Sequence, residues 1–199
     1  MTTANQITLA RILLIPVFVT LAVYYGRSVD LGAPVEWQRI AAIAVFVIAA
    51  ASDGLDGYIA RHFNQRSRLG TILDPIADKG LLFSALLTLS FTNWHYQFPL
   101  WFPILVIARD LVVLGGTALL FAFAGPVQVR PTWSGKIATA LQMASIAAAM
   151  WQLRWTLPGS SVLFLDALVV ATGAFTFISG VGYVMEGIRL LQAGEPPNA

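Results

Sequence analysis

The sequence predicts an all-α fold, that of a polytopic membrane protein with six transmembrane helices. Composition is the first reason: 57% of the 199 residues are hydrophobic and 11% are charged, whereas an average soluble domain has roughly 25% charged residues. The second reason is that the apolar residues fall into six long runs separated by short polar segments. Each run has the roughly 20 residues that a helix needs to cross a bilayer.

The first three helices are expected over residues 5–25, 37–60 and 69–91. The first carries Arg11 at its start, which we expect at the cytoplasmic surface, and Pro16, which can kink a helix. It is predicted to end before a polar loop at residues 26–36. The third has Pro75 within its first turns, where proline is tolerated.

The last three helices are expected over residues 99–124, 133–155 and 162–191. Trp94 and Tyr96 in the turn before the fourth helix, and Trp101 in its first turn, are typical of the interface between membrane and water. Residues 1–193 are predicted to form a single transmembrane domain, followed by a disordered tail at 194–199. Small residues at helix interfaces allow close packing, and four glycines are candidates for it: Gly115, Gly116, Gly180 and Gly182.

The basic residues predict the orientation, because cytoplasmic loops carry the excess of Lys and Arg. With both termini in the cytoplasm, that side collects Arg11, Arg61, Arg66, Arg68, Lys79, Arg130, Lys136 and Arg189. The opposite side has Arg27, Arg39 and Arg154. We therefore expect an integral protein of the cytoplasmic (inner) membrane of a prokaryote, with its functional site facing the cytoplasm. The net charge of +2 gives no reason to expect nucleic acid as a partner, and no cysteine is present for disulfide or thiol chemistry.

More than half of the aspartates lie in one stretch, at the ends of two predicted helices. Asp53 and Asp56 are three residues apart and Asp74 and Asp78 are four apart, so each pair shares one helix face. Charges at membrane depth are costly and indicate function. Four converging carboxylates need compensation, which hard divalent cations supply. The spacing therefore predicts a two-helix site for Mg²⁺ or a similar ion such as Mn²⁺.

Glycines and arginines in the same stretch predict that the bound ligand is a phosphate. Gly54, Gly57 and Gly70 allow a bulky ligand to approach the backbone. Arg61 and the basic residues of the following loop offer guanidinium groups that match phosphate oxygens. Metal, phosphate and a spare carboxylate together are the components of phosphoryl transfer.

The whole stretch has the spacing D-x2-D-G-x2-A-R-x8-G-x3-D-x3-D, filled without departure by Asp53, Asp56, Gly57, Ala60, Arg61, Gly70, Asp74 and Asp78. This pattern resembles the signature of the CDP-alcohol phosphotransferases (CDP-alcohol phosphatidyltransferases), membrane enzymes of phospholipid synthesis. The resemblance implies an enzyme that uses CDP-diacylglycerol as donor, releases CMP and forms a homodimer among membrane lipids.

The resemblance also implies residue roles. Asp53, Asp56 and Asp74 correspond to ligands of the metal ions, which would be two Mg²⁺ or Mn²⁺. Asp78 corresponds to the catalytic base that activates the acceptor alcohol, and it can also touch a metal. The residues that correspond to the binding site for the cytidine nucleotide are Asp53, Gly57, Ala60, Arg61 and Gly70. Outside the signature, the candidates for binding a phosphate on the acceptor are Arg109, Arg130 and Lys136; an ion pair with Asp110 is the alternative role for Arg109.

The sequence favours a glycerol-type acceptor over inositol phosphate, serine or choline, which stay open, and two glycerol-type acceptors are candidates. The segments NQITLARILLIPVF and PTWSGKIATALQM resemble phosphatidylglycerophosphate synthases, which use glycerol 3-phosphate. NQRSRLGTILDPIADK and IARDLVV also resemble cardiolipin synthases that use CDP-diacylglycerol, whose acceptor is phosphatidylglycerol. Glycerol 3-phosphate is the preferred acceptor. From a different class, a divalent metal-ion transporter would also have buried acids in its helices, but it has no need of Gly57 or Arg61.

Overall fold

A computed structural model of the chain describes residues 3–62, 68–124, 133–151 and 160–193. Side chains are described over the same ranges except at residues 3–5, 53–62, 68–72, 74, 75, 120–124, 160, 161 and 190–193. Every regular element in these ranges is an α-helix, which confirms the predicted all-α class. The helices are α1 (Thr3–Asp30), α2 (Glu36–His62), α3 (Arg68–Phe91), α4 (Trp101–Ala124), α5 (Trp133–Trp151) and α6 (Ser160–Ala193).

Three of the described helices are long and apolar enough to cross a membrane. These candidate spans are Gln6–Asp30, Trp101–Leu119 and Val162–Arg189. The other helices, α2, α3 and α5, are 27, 24 and 19 residues long, close to the roughly 20 residues that a span needs. The architecture is therefore consistent with the six predicted spans. The predicted tail at 194–199 lies outside the described residues, and the single domain of 1–193 stays a prediction.

The end of α1 differs from the sequence prediction, because residues 26–30 were expected in a loop and are helical. Ser28 stabilises this last turn: its hydroxyl donates to the Tyr25 carbonyl at 2.7 Å and accepts from the Val35 amide at 3.0 Å. The helix ends where Gly32 adopts φ +72°, a left-handed conformation that glycine takes without steric cost. The glycine that stops the helix is thus Gly32, and Gly26 lies within the helix.

The helices divide into two compact units. The first contains Met1–Phe98 and Ile146–Thr156, and the second contains Pro99–Ser145 and Leu157–Ala199. In the first unit, α1 packs against both α2 and α3, and α2 packs against α3. Phe18 of α1 and Phe46 of α2 meet in its core with ring centroids 5.8 Å apart. In the second unit, α4 packs against α6.

The aromatic turn after α3 packs into the first unit, which corrects the interfacial role predicted for two of its residues. Trp94 and Tyr96 are each only 6% exposed. The Trp94 indole N–H donates to the carbonyl of Ala22 at 3.1 Å, and its ring lies edge-on to Tyr25 at 4.7 Å. A buried indole needs such a partner for its N–H. Trp101, at 44% exposure, remains suited to an interface.

Two of the four glycines predicted to allow close packing do so. A Cβ at Gly180 would lie 3.3 Å from the Arg109 side chain, and one at Gly116 would lie 3.8 Å from the Tyr183 ring. Gly115 and Gly182 have nothing within 4 Å of such an atom. Within the described residues of one chain, that pair makes no close approach, and its packing in an interface between two copies stays a prediction. Gly26 and Gly173, which the sequence analysis did not single out, make the closest approaches.

Gly26→Ala is expected to destabilise the protein by about 1–3 kcal/mol, the usual cost of overpacking. The new methyl group would lie 2.8 Å from Thr92 Cβ, so α1 and the turn after α3 must separate. Gly115→Ala is the matched control, because its methyl group meets nothing within 4 Å and alanine favours a helix. Thermal unfolding of both variants in detergent tests this; equal unfolding temperatures would contradict the close approach at Gly26.

Candidate active site

The signature lies on two helices that pack against each other in the first unit. Asp53 and Asp56 lie within α2, near its carboxyl end, and Asp74 and Asp78 lie in the first half of α3. The backbone is helical through both pairs, so the spacings of three and four residues place each pair on one face of its helix. The sequence therefore folds locally as expected at these positions.

Asp78 is the one predicted metal ligand whose side chain is described. It is half-buried and follows Ala77, which is fully buried in the unit. The side chains at Asp53, Asp56 and Asp74 lie outside the described side chains, as do those of Ala60 and Arg61 in the nucleotide set. The convergence of the four carboxylates thus stays a prediction.

The donor set itself fits a hard divalent cation. The four signature acids offer carboxylate oxygens, the ligands that Mg²⁺ and Mn²⁺ prefer, with no thiolate or imidazole in the stretch from 53 to 61 or from 68 to 78. Among the side chains that the structure describes, no three His, Cys, Asp or Glu residues cluster. Asp78 is the one signature aspartate among those side chains.

Arg11 is a residue that the sequence analysis placed wrongly. We expected it at the cytoplasmic surface, and it is only 1% exposed inside the first unit. It is the largest fully buried side chain described. The helical periodicity could have indicated this burial. Successive spacings of three, seven and four residues place Thr8, Arg11, Phe18 and Ala22 on one face of the helix.

Arg109 lies in the second unit, where its described contacts are internal. One guanidinium nitrogen donates to Asp110 Oδ1 at 2.8 Å and the other donates to Ser179 Oγ at 2.8 Å. Asp110 is 3% exposed and the Arg109 side chain is 11% exposed. The ion pair between Arg109 and Asp110, the alternative role considered from sequence, is therefore present.

A groove of about 340 Å³ runs between α4 and α6 beside Arg109. Its walls are apolar and include Leu105, Val112, Phe177 and Val184. Because Arg109 directs its terminal nitrogens to Asp110 and Ser179, the groove offers hydrocarbon surface and few polar partners. It suits an apolar chain better than a soluble phosphate.

The remaining acceptor candidates are not brought together by the described contacts. Lys136 lies in the first turn of α5, is exposed, and holds its ammonium group 5.4 Å from the centroid of the Trp133 ring. This is a cation–π contact, worth about 0.5–1 kcal/mol when exposed. Arg130 lies outside the described residues. The acceptor-binding roles of all three basic residues stay predictions.

The family model and the relatives that match this chain agree on one family. The family model described as CDP-alcohol phosphatidyltransferase matches residues 1–178. The chain is 35% identical over 188 residues to a probable phosphatidylglycerophosphate synthase of Mycobacterium tuberculosis, covering 94% of this chain and 81% of that protein. It is 34% identical over 167 residues to the CDP-diacylglycerol--glycerol-3-phosphate 3-phosphatidyltransferase of Escherichia coli K12, covering 82% of this chain and 85% of that protein.

Arg109→Met is expected to lower the free energy of unfolding by about 3–5 kcal/mol, because it removes the guanidinium from a buried carboxylate. Arg189→Met is the matched control: Arg189 pairs with Glu186 at 3.9 Å, and both side chains are more than half exposed. Its loss should cost less than about 1 kcal/mol. Chemical denaturation in detergent measures both. Similar costs for the two variants would show that the Arg109–Asp110 pair does not stabilise the fold.

Proposed function

Because the chain belongs to the CDP-alcohol phosphatidyltransferase family, and is therefore a phosphatidyltransferase of membranes, we propose that it transfers the phosphatidyl group of CDP-diacylglycerol to glycerol 3-phosphate and releases CMP. The observation that carries the proposal is the complete signature on two helices that pack together. The names of the M. tuberculosis and E. coli relatives support glycerol 3-phosphate as the acceptor.

In this proposal Asp53, Asp56, Asp74 and Asp78 hold two divalent cations, Mg²⁺ or Mn²⁺. The chemistry that such cations would supply, when held by these carboxylates, is neutralisation of the donor diphosphate and of the charge on the departing phosphate. The carboxylates fix where the donor phosphates lie, while the helix backbones hold the carboxylates at their spacing. Gly57, Ala60, Arg61 and Gly70, together with Asp53, form the side that binds the cytidine nucleotide.

Asp78 acts as the general base. Its carboxylate takes the proton from the acceptor hydroxyl as the hydroxyl oxygen forms a bond to the phosphatidyl phosphorus. The bond from that phosphorus to the CMP oxygen breaks, and its electron pair leaves with CMP. A half-buried carboxylate on the first half of α3 can reach a substrate and still be shielded from bulk water.

The acceptor and the setting complete the proposal. Arg109, Arg130 and Lys136 are the proposed partners of the acceptor phosphate. Both termini and the site face the cytoplasm, where the soluble acceptor and CMP are found. The enzyme works as a homodimer in the cytoplasmic membrane, with membrane lipids around it.

The acceptor is tested by incubating the purified protein in detergent with CDP-diacylglycerol and Mg²⁺, with glycerol 3-phosphate or phosphatidylglycerol in parallel reactions. We expect CMP release and phosphatidylglycerophosphate formation with glycerol 3-phosphate. Release with phosphatidylglycerol instead would make the protein a cardiolipin synthase. No CMP with either acceptor, from protein that is folded, would reject the proposal and favour metal-ion transport.

Asp78→Asn is expected to lower kcat by about 10²–10⁴-fold, the usual contribution of a general base, because the amide cannot accept the proton. Asp166→Asn is the matched control, since Asp166 lies on α6 outside the signature. CMP release at saturating substrate and Mg²⁺ measures both rates. Near-full activity of Asp78→Asn would remove Asp78 from the role of base.

A further inference from the structure

Arg11 is buried on the face of α1 that packs into the first unit. Thr8, Arg11, Phe18, Ala22 and Tyr25 are all buried, and Phe18 and Tyr25 contact Phe46 and Trp94. The guanidinium stays charged, because arginine does not deprotonate in proteins. Removing such a charge from water costs several kcal/mol unless an opposite charge or hydrogen bonds compensate it. Carboxylates are among the strongest hydrogen-bond partners of a guanidinium, so nearby acids are the expected source of compensation.

Two contacts fix the register of α1 against α3. A Cβ at Gly80 of α3 would lie 3.1 Å from Ile15 Cδ1 of α1. At the other end, a Cβ at Gly26 would lie 2.8 Å from Thr92 Cβ, directly after α3. The two contacts are separated by nearly the same length of helix on α1 and on α3. The two helices therefore run parallel and in step.

This register places Arg11 at the level of the second aspartate pair. Arg11 lies one helical turn before Ile15, about 5.4 Å along the axis. One turn before Gly80 on α3 is Ile76, midway in sequence between Asp74 and Asp78. The buried arginine and the aspartate positions of α3 thus lie in the same layer of the first unit.

Among the acids of the first unit, those of the signature are the source of charge that compensates Arg11. Outside the signature, the acidic residues of this unit are Asp30 and Glu36. Glu36 pairs with Arg39 at 2.9 Å, and Asp30 binds the Asn93 side chain. Asp30 is at the far end of α1, about 28 Å from Arg11 along the axis at 1.5 Å per residue. The remaining acids of the unit are the four signature aspartates.

We propose that Arg11 is a positioning residue of the aspartate site: a fixed counter-charge, built into α1, that balances the carboxylates and holds those of α3 in place before metal binds. The inference rests on the metal site of the proposed function. Because Arg11 is 1% exposed, it is not open to substrate and acts through the carboxylates. Arg11 is thereby distinguished from the basic residues proposed to bind the acceptor.

The proposal is tested by the stabilisation that Mg²⁺ alone gives to the purified protein, without substrate. The unfolding temperature is measured with chelator and with saturating Mg²⁺ at constant ionic strength, for the wild type, Arg11→Gln and Arg11→Lys. When the arginine is gone, the carboxylates lose one fixed counter-charge and depend more on the metal. Metal binding is linked to stability, so the Mg²⁺-induced rise in unfolding temperature should be larger in Arg11→Gln than in the wild type. Arg11→Lys, which keeps a positive charge, should behave like the wild type.

Arg39→Gln is the matched control, because Arg39 is another poorly exposed arginine of this unit, at 16%, whose ion pair with Glu36 is at the opposite end of α2. It should lower the unfolding temperature equally with and without Mg²⁺. An equal loss in both conditions for Arg11→Gln would overturn the inference and make Arg11 a packing residue. A wild type that Mg²⁺ does not stabilise would instead overturn the metal site of the proposed function.

If Arg11→Gln yields no folded protein, the double variant Arg11→Gln/Asp78→Asn tests whether Arg11 acts as a counter-charge. Removing one carboxylate reduces the charge that Arg11 balances, so the double variant should be recovered folded where Arg11→Gln is not. Failure to recover the double variant, with Asp78→Asn alone folded, would overturn the counter-charge role.

Discussion

Charge buried among apolar helices is the constraint on which both units depend. A guanidinium or carboxylate removed from water costs several kcal/mol unless an opposite charge or hydrogen bonds compensate it. In the second unit, Asp110 and Ser179 compensate Arg109 at 2.8 Å each. In the first unit, Arg11 is buried at the level of the α3 aspartates. The position of each buried charge is therefore tied to the register of the helices around it.

Close backbone approaches set that register. Gly80 and Gly26 let α1 approach α3 and the turn after it, and the Trp94 indole ties the same turn to the Ala22 carbonyl. In the second unit, Gly180 provides the space in which the Arg109 side chain lies along α6. Side chains hydrogen-bond across helices as well, as Gln142 does with Thr176 at 3.0 Å. Small residues and polar pairs are the usual means of helix association in membranes.

Particular residues show where prediction from sequence succeeded and where it failed. The helical class and the helices carrying the signature were predictable, because long apolar runs and spacings of three and four are local properties. The surface position of Arg11 and the interfacial positions of Trp94 and Tyr96 were predicted wrongly. A charge or an aromatic ring near a helix end suggests an interface, yet the helix packed beside it decides whether it meets lipid, water or protein.

By itself, the sequence determined the all-helical class, the family and the aspartate positions that define the reaction class, because composition and fixed spacing carry that information along the chain. Tertiary structure alone decided that Arg11 is buried inside the first unit, that Gly26 lies within a helix, and that Arg109 is held by Asp110 and Ser179. The physical reason is that each of these depends on which residues of a second helix lie alongside the first, and packing geometry sets that register.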